Sequence, residues 1–432
     1  MKLILGILLL VGLAAAASSA TFLKLRRSTS VGLLVSGGWL GILVGLLIGP
    51  SGMGILDRPL VVRSSPLLTI GLGWIGLMVG LQLRRDVLLK LPASIFKLTI
   101  VDVTGSLILF GALGVFGLSF WLEETNPTAM LIPATLLATA AIGWTAEMRS
   151  LRLLTAENAS QALSLRGAAS LATPIAIVVF SVSAGAIQGT DAATLTVALG
   201  STFVRLFSVL LIAIALGVIA RFGLRRANDE RAELLAIFLG VVAMISGVAT
   251  ELHVTPLLAA MFVGIVIANL AGRELRRFER FILEAEHVVA TIYWIVAGVL
   301  LDAQIGPIGV AIALSFVALR ALCKPLLVTF GADRSTSAHS EADHRRLNQL
   351  APVRQNPLAL MLGVTLVLIE PSTVNHQLLA IVALIGLVGD LYALLRQSIS
   401  SRSSQPSPVP TAAPAPPGLN TSSRASSAEA QS

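Results

Sequence analysis

Cysteine is almost absent from this chain: Cys323 is the only one in 432 residues. That excludes an internal disulfide framework and any cysteine-cluster metal site. Charge is scarce too. Charged residues make up 12% of the sequence, about half the share of an average soluble domain. Aromatics reach only 5%. No HExxH, nucleophile elbow or P-loop occurs, which argues against a membrane enzyme, and nothing reads as a cofactor box or a metal site.

What is present is hydrocarbon. Hydrophobic residues are 55% of the chain and the mean hydropathy is +0.86. A soluble fold cannot hide that much apolar surface, whereas a bilayer accepts it. Crossing roughly 30 Å of hydrocarbon takes about 20 apolar residues in a helix. Thirteen candidate spans appear, at about 3–22, 31–49, 66–83, 93–121, 128–147, 160–182, 193–222, 232–250, 254–271, 286–303, 307–330, 357–370 and 377–396; the twelfth is short, and Glu370-Pro371-Ser372 after it reads as either an external turn or a break inside the membrane. The predicted fold class is therefore an all-α polytopic membrane protein.

The net charge of +8 would suggest nucleic acid in a soluble protein. Here the cations lie between apolar spans, so topology accounts for them and no nucleic-acid partner is expected. Alternate connections carry Lys24, Arg26 and Arg27; Arg84, Arg85 and Lys90; Arg149 and Arg152; Arg221, Arg225, Arg226 and Arg231; Arg273, Arg276, Arg277 and Arg280; and Arg334, Arg345, Arg346 and Arg354. The connections between them hold few, chiefly Arg58 and Arg63. By the positive-inside rule the basic loops face the cytoplasm, with the N-terminus outside and the C-terminus inside. A cleaved signal peptide is the rival reading of residues 1–20, but it would leave the first basic cluster outside. Residues 1–397 are expected to form the transmembrane domain. Residues 398–432, rich in Ser, Pro and Ala without apolar periodicity, are expected to be a disordered cytoplasmic tail.

Four stretches, in order, carry a resemblance. Gly49-Pro50-Ser51-Gly52-Met53-Gly54-Ile55-Leu56 is similar to the GPSGLGLL signature of the Kef-like branch of the monovalent cation/proton antiporters. Gly76-Leu77-Met78-Val79-Gly80-Leu81-Gln82-Leu83-Arg84-Arg85 is similar to that family's FLVGLELDLRR. The segment from Glu251 to Gly264 resembles its ELLGLSPALGAFLAGLLLA, and Trp294 to Asp302 resembles its FFVSVGLSLDL. The glycines have a plainer reading as well, because small residues let membrane helices approach closely.

The resemblance implies an inverted-repeat antiporter fold with core and dimerisation domains, working as a homodimer in the plasma (inner) membrane. The fourth to sixth and eleventh to thirteenth spans would form a core whose fifth and twelfth helices are interrupted. It also implies the function, a secondary transporter exchanging protons for Na+ or K+. The chain departs from the family pattern at two places. The aspartate of a QDLAAIPL-like segment falls on Ala169, with Pro174 as anchor, leaving Ser170 and Thr173 as the nearby polar groups. The ATSPA-like break reads Ala138-Thr139-Ala140-Ala141, so its threonine survives and its proline does not. Without that proline the helix need not break.

Exchange needs a group that holds either a proton or a cation, so another carboxylate must replace the missing one. Ionisable residues inside a membrane cost roughly 2.5–3.5 kcal/mol on insertion scales, which makes each a functional candidate. Asp102 reads as the only carboxylate clearly inside an apolar run, beside Thr99, Thr104 and Ser106. Its plainer role is to pair with a basic residue and orient the core. Arg320 and Lys324 lie in the eleventh span, where the family has a basic residue, and a lysine gives up its proton more readily than an arginine. The alternative for Lys324 is a salt bridge supporting the helix crossing. Glu370 lies close to a glycine-glutamate of the family's twelfth helix. Arg166 and Arg205 read as structural charges, the first able to snorkel to the interface. His339, Glu341, Asp343 and His344 have a spacing that could support a weak metal site, but a solvated charged loop is the expected reading. Four interior cations against one carboxylate leave an anion transporter open, and the two departures leave open a transport-dead sensor or structural subunit.

Overall fold

In lipid every backbone N–H and C=O needs an internal partner, so apolar spans of this length have to fold as helices. The computed structural model describes Gly12 and residues 38–122, 130–142, 159–188, 195–226, 231–270, 275–301, 305–331 and 358–403. All regular structure among them is helical. The helices are α1 (Trp39–Ile48), α2 (Arg58–Arg63), α3 (Ser65–Leu81), α4 (Arg85–Leu88), α5 (Ala93–Leu122), α6 (Leu131–Ala141) and α7 (Ala159–Gln188). Then follow α8 (Leu195–Arg226), α9 (Arg231–Glu251), α10 (Pro256–Leu270), α11 (Leu275–Leu300), α12 (Pro307–Gly331), α13 (Leu358–Ile369) and α14 (Thr373–Ser403).

Every expected span from the second onward overlaps a described helix, although parts of several, such as 31–37 and 143–147, lie outside the described residues. Five of these are long and apolar enough to cross a membrane on those grounds alone: 93–120, 200–226, 232–251, 307–327 and 373–392. The first expected span, 3–22, lies outside the described residues except for Gly12, so the total of thirteen rests on sequence. The C-terminal helix runs to Ser403, past the expected domain boundary at 397. The remainder of the tail, like the His339–His344 cluster, lies outside the described residues.

Two groups of helices emerge from the packing. In the first, α3 lies on α10, α1 lies on α11, and α8 and α9 flank α10. In the second, α5 packs on α6, α7 and α12, while α13 packs on α6. Helix α14 joins the second group, since Gly309 of α12 approaches Ile381 and Gly363 of α13 approaches Leu379. The first group is called the scaffold below and the second the core.

Glycine sets the scaffold's geometry. A Cβ added to Gly76 would run into the Leu257 carbonyl, one on Gly80 into that of Met261, and one on Gly264 into that of Leu77. The α1–α11 crossing repeats the arrangement, with Gly45 against the Ile295 carbonyl and Gly298 against that of Ile42. Backbones touch directly, which is how membrane helices gain contact when lipid offers no hydrophobic contrast. Tyr293 of α11 locks the two seams together by donating its hydroxyl proton to the Leu68 carbonyl.

The contacts also fix directions. Residue numbers rise together along α1 and α11, and along α3 and α10, so each seam is parallel. They run oppositely along α5 and α12, where Phe110 meets Phe316 with ring centroids 4.7 Å apart and Gly117 faces Ile312. Consequently α1 and α11 start on one face of the bundle, and α3, α10 and α12 start on the other. The first face is the one carrying Arg84, Arg85 and Lys90 after α3. It is called the basic face below.

Candidate functional site

The core is interrupted where α6 stops. Its last helical residue is Ala141, and Ile142 turns to extended backbone with φ −71° and ψ 140°. The sequence had left this open because the expected proline is absent. The structure supplies another cause. Arg320, reaching across from α12, donates from Nη1 to the Ala140 carbonyl at 2.6 Å. A guanidinium satisfying a C-terminal carbonyl removes the cost of leaving it unpaired, and a cation is favourable at that end of the helix dipole.

One helical turn farther along α12, Lys324 forms an ion pair with Asp102 of α5. The Lys324 ammonium also donates to the Ser106 hydroxyl at 3.2 Å. Asp102, Lys324 and Arg320 are 2%, 1% and 1% exposed, so this is a dry pair beside a second fixed charge. Thr99, on the same side of α5 a turn away, is buried and returns its hydroxyl proton to the Ile95 carbonyl at 2.8 Å. A buried pair of this kind adds little net stability, yet stranding either partner costs about 3–5 kcal/mol. Its value is that it holds charge where charge is otherwise expelled.

The other expected residues distribute unevenly. Thr139 is buried on the last turn of α6, one residue before the carbonyl that Arg320 holds, and donates to the Leu136 carbonyl at 2.8 Å. Ser170 is exposed and Thr173 half-buried on α7. Glu370 is exposed in the turn between α13 and α14, where its carbonyl accepts from Asn375 Nδ2 at 2.8 Å. That turn joins two antiparallel helices on the face opposite the basic one. Arg205 is half-buried on α8, within the scaffold. Arg166 falls on α7, but its side chain lies outside the described residues. Of the expected site residues, Asp102, Arg320 and Lys324, with Thr139 next to them, are the ones brought together.

The reading of Asp102 as the only carboxylate in an apolar run needs correction. Asp390 lies within the last span, on α14, and accepts a hydrogen bond at 2.7 Å from the Trp39 indole of α1. Its position inside the 377–396 span was a visible signal. Among the described residues no group of three His, Cys, Asp or Glu side chains could hold a metal ion.

Known proteins bear on this arrangement. The pattern of the family described as "Sodium/hydrogen exchanger, transmembrane" matches residues 13–385. No curated protein matches the chain. Two solved structures of the sodium proton antiporter MjNhaP1 from Methanocaldococcus jannaschii share its fold. One, determined at pH 8, has 16% identity and a TM-score of 0.66, covering 92% of this chain and 100% of that one. The other, from an electron-microscopy map, has 17% identity and a TM-score of 0.56, covering 93% and 96%. At these identities the likeness establishes the fold alone: a multi-pass, membrane-embedded antiporter architecture. With a family pattern spanning most of its length and ordered helices to match, the chain belongs to the sodium/hydrogen exchanger family.

Proposed function

We propose that the protein exchanges protons for a monovalent cation, Na+ or K+, by alternating access, with the buried Asp102–Lys324 pair as its exchange centre. The observation that carries this reading is that a single carboxylate sits at the α5–α12 crossing already holding a cation, the tethered ammonium of Lys324. One negative site can be neutralised by a proton, by a free cation or by that ammonium, and by one of them at a time. A cation entering against Asp102 and the Ser106 hydroxyl must displace Lys324, which then swings aside or releases its proton. Movement of the core against the scaffold carries the occupied site from one face to the other. Arg320 keeps α6 terminated beside this centre while the occupant changes.

Two alternatives lose support. Anion transport rested on four interior cations against one carboxylate, and two of the four, Lys324 and Arg320, are engaged by Asp102 and by the Ala140 carbonyl. A transport-dead role rested partly on the missing proline, and α6 stops at Ala141 without it. The proposed setting is a plasma membrane, with the basic face cytoplasmic, the N-terminus outside and the protein a homodimer.

Purified protein in proteoliposomes with a pH-sensitive dye tests the reading. Added Na+ or K+ should dissipate an imposed proton gradient, and Asp102→Asn should remove at least nine-tenths of that response. Unchanged exchange in Asp102→Asn would remove Asp102 from the mechanism. Dissipation by anions alone would replace antiport with the anion reading.

A further inference from the structure

Among the described residues, two side-chain hydrogen bonds that link core to scaffold lie at opposite ends of the bundle. Toward the basic face, Trp39 of scaffold helix α1 donates its indole N–H to Asp390 of α14 at 2.7 Å. Toward the other face, Ser181 of core helix α7 and Thr255, just before α10 of the scaffold, share a hydroxyl hydrogen bond. The assignment of ends follows from chain direction. Helix α14 starts beside the start of α12, where Ile381 meets Gly309, and Asp390 lies farther along toward the basic face. Thr255 precedes α10, which starts on the opposite face, and Ser181 is near the end of α7.

The scaffold sides of both bonds are immobilised. Trp39 is buried on the helix whose Gly45 is pressed against the α11 backbone. Thr255 is buried next to Leu257, whose carbonyl abuts Gly76. The core sides ride on α14 and α7, which belong to the other group. A hydrogen bond at 2.7 Å is lost once its atoms separate beyond about 3.5 Å, and sliding a helix by one residue moves it about 1.5 Å. Any rigid displacement of core against scaffold large enough to switch access therefore breaks at least one of the two bonds.

We propose that Trp39–Asp390 is the latch that closes the basic face and Ser181–Thr255 the latch that closes the opposite one, each released in turn during the cycle. The proposal rests on the alternating-access reading above. With both bonds made, core and scaffold are tied at both ends.

Cys323 provides the test. It is the sole cysteine, partly buried on α12 and adjacent to Lys324, so thiol labelling reports one site beside the exchange centre. Vesicles of the two orientations are treated with a membrane-impermeant maleimide, after size-exclusion profiles show the variants monodisperse. Trp39→Phe and Asp390→Leu should each raise the labelling rate from the basic face at least threefold, with no rise from the other side. The double variant should raise it no further, because both changes remove one bond. Ser181→Ala should give the mirror result. Labelling that stays at the wild-type rate from the basic face, or that rises equally from both faces as in a loosened fold, overturns the latch. Exchange is read separately in proteoliposomes. Expected labelling without any cation-driven proton movement defeats the antiport reading and not the latch, and the reverse result defeats the latch alone.

Discussion

The scaffold seams and the α5–α12 interface solve the same problem by opposite means. At the glycine contacts of α3–α10 and α1–α11 the facing residues are apolar, and backbone meets backbone. Along α5–α12 the contact is made by Asp102, Lys324 and Ser106, with Phe110 against Phe316 above them. A glycine seam has one good arrangement and no alternative partners. An ion pair has several, because either charge can be satisfied by something else. The region built to stay still is apolar and small; the region built to change occupants is ionic and long-armed.

This contrast can be broken most severely at the pair itself. Lys324→Met or Asp102→Leu alone leaves an uncompensated buried charge and should lower stability by about 3–5 kcal/mol, read as early thermal aggregation on size exclusion. The double variant Asp102→Leu/Lys324→Met should recover most of that stability while remaining inactive in exchange. A double variant no more stable than the singles would show that the pair is not the source of the cost. Next in size, Gly80→Val or Gly264→Val forces side-chain atoms into carbonyls that cannot retreat, at about 1–3 kcal/mol. Gly111→Ala, where nothing stands within 4 Å, should be silent. If Gly80→Val is also silent in a thermal-shift assay, the seams are looser than described.

A third experiment sharpens the role given to Arg320. Arg320→Gln should lower the exchange rate severalfold by freeing the Ala140 carbonyl, and Ala141→Pro in the same chain should restore part of it, since proline ends the helix by itself. Absence of any rescue would separate Arg320 from the helix end. The smallest effect belongs outside the membrane. Arg84 clasps Asp86 through Nε at 3.1 Å and Nη2 at 2.9 Å, which holds the Asp86 carboxyl below its ordinary 3.8. A depressed carboxyl contributes stability at neutral pH that is lost as pH falls from its ordinary value through the lowered one. This pair is exposed and solvent screens it, so Arg84→Ala should leave the melting temperature at pH 7 and at pH 4 unchanged within error.

Much of the fold was legible because membrane spans announce themselves by length, and loops by their cations. The site was legible in its residue types but not in its pairing. Asp102 and Lys324 stand 222 positions apart, and only the antiparallel register of α5 and α12 aligns them. The Arg320 contact left no trace in sequence, because its partner is a backbone carbonyl and any residue at position 140 carries one. The break in α6 was obscured for the same reason. Proline is the sequence's usual mark for a helix end, and here a side chain from another helix does the work. Asp390 stands inside the last apolar span in plain view, but nothing in the sequence ties it to an indole 351 residues upstream.

Each seam draws one helix from the first half of the polypeptide and one from the second. While the chain is being made, the small-residue flank of α3 leaves the ribosome with nothing to lie against. Gly80 meets Gly264 only after some 180 further residues have been added, roughly 10–40 s at ordinary rates of synthesis. During that interval the nascent half is a substrate for chaperones and membrane proteases, and codon speed in the intervening stretch becomes a determinant of yield.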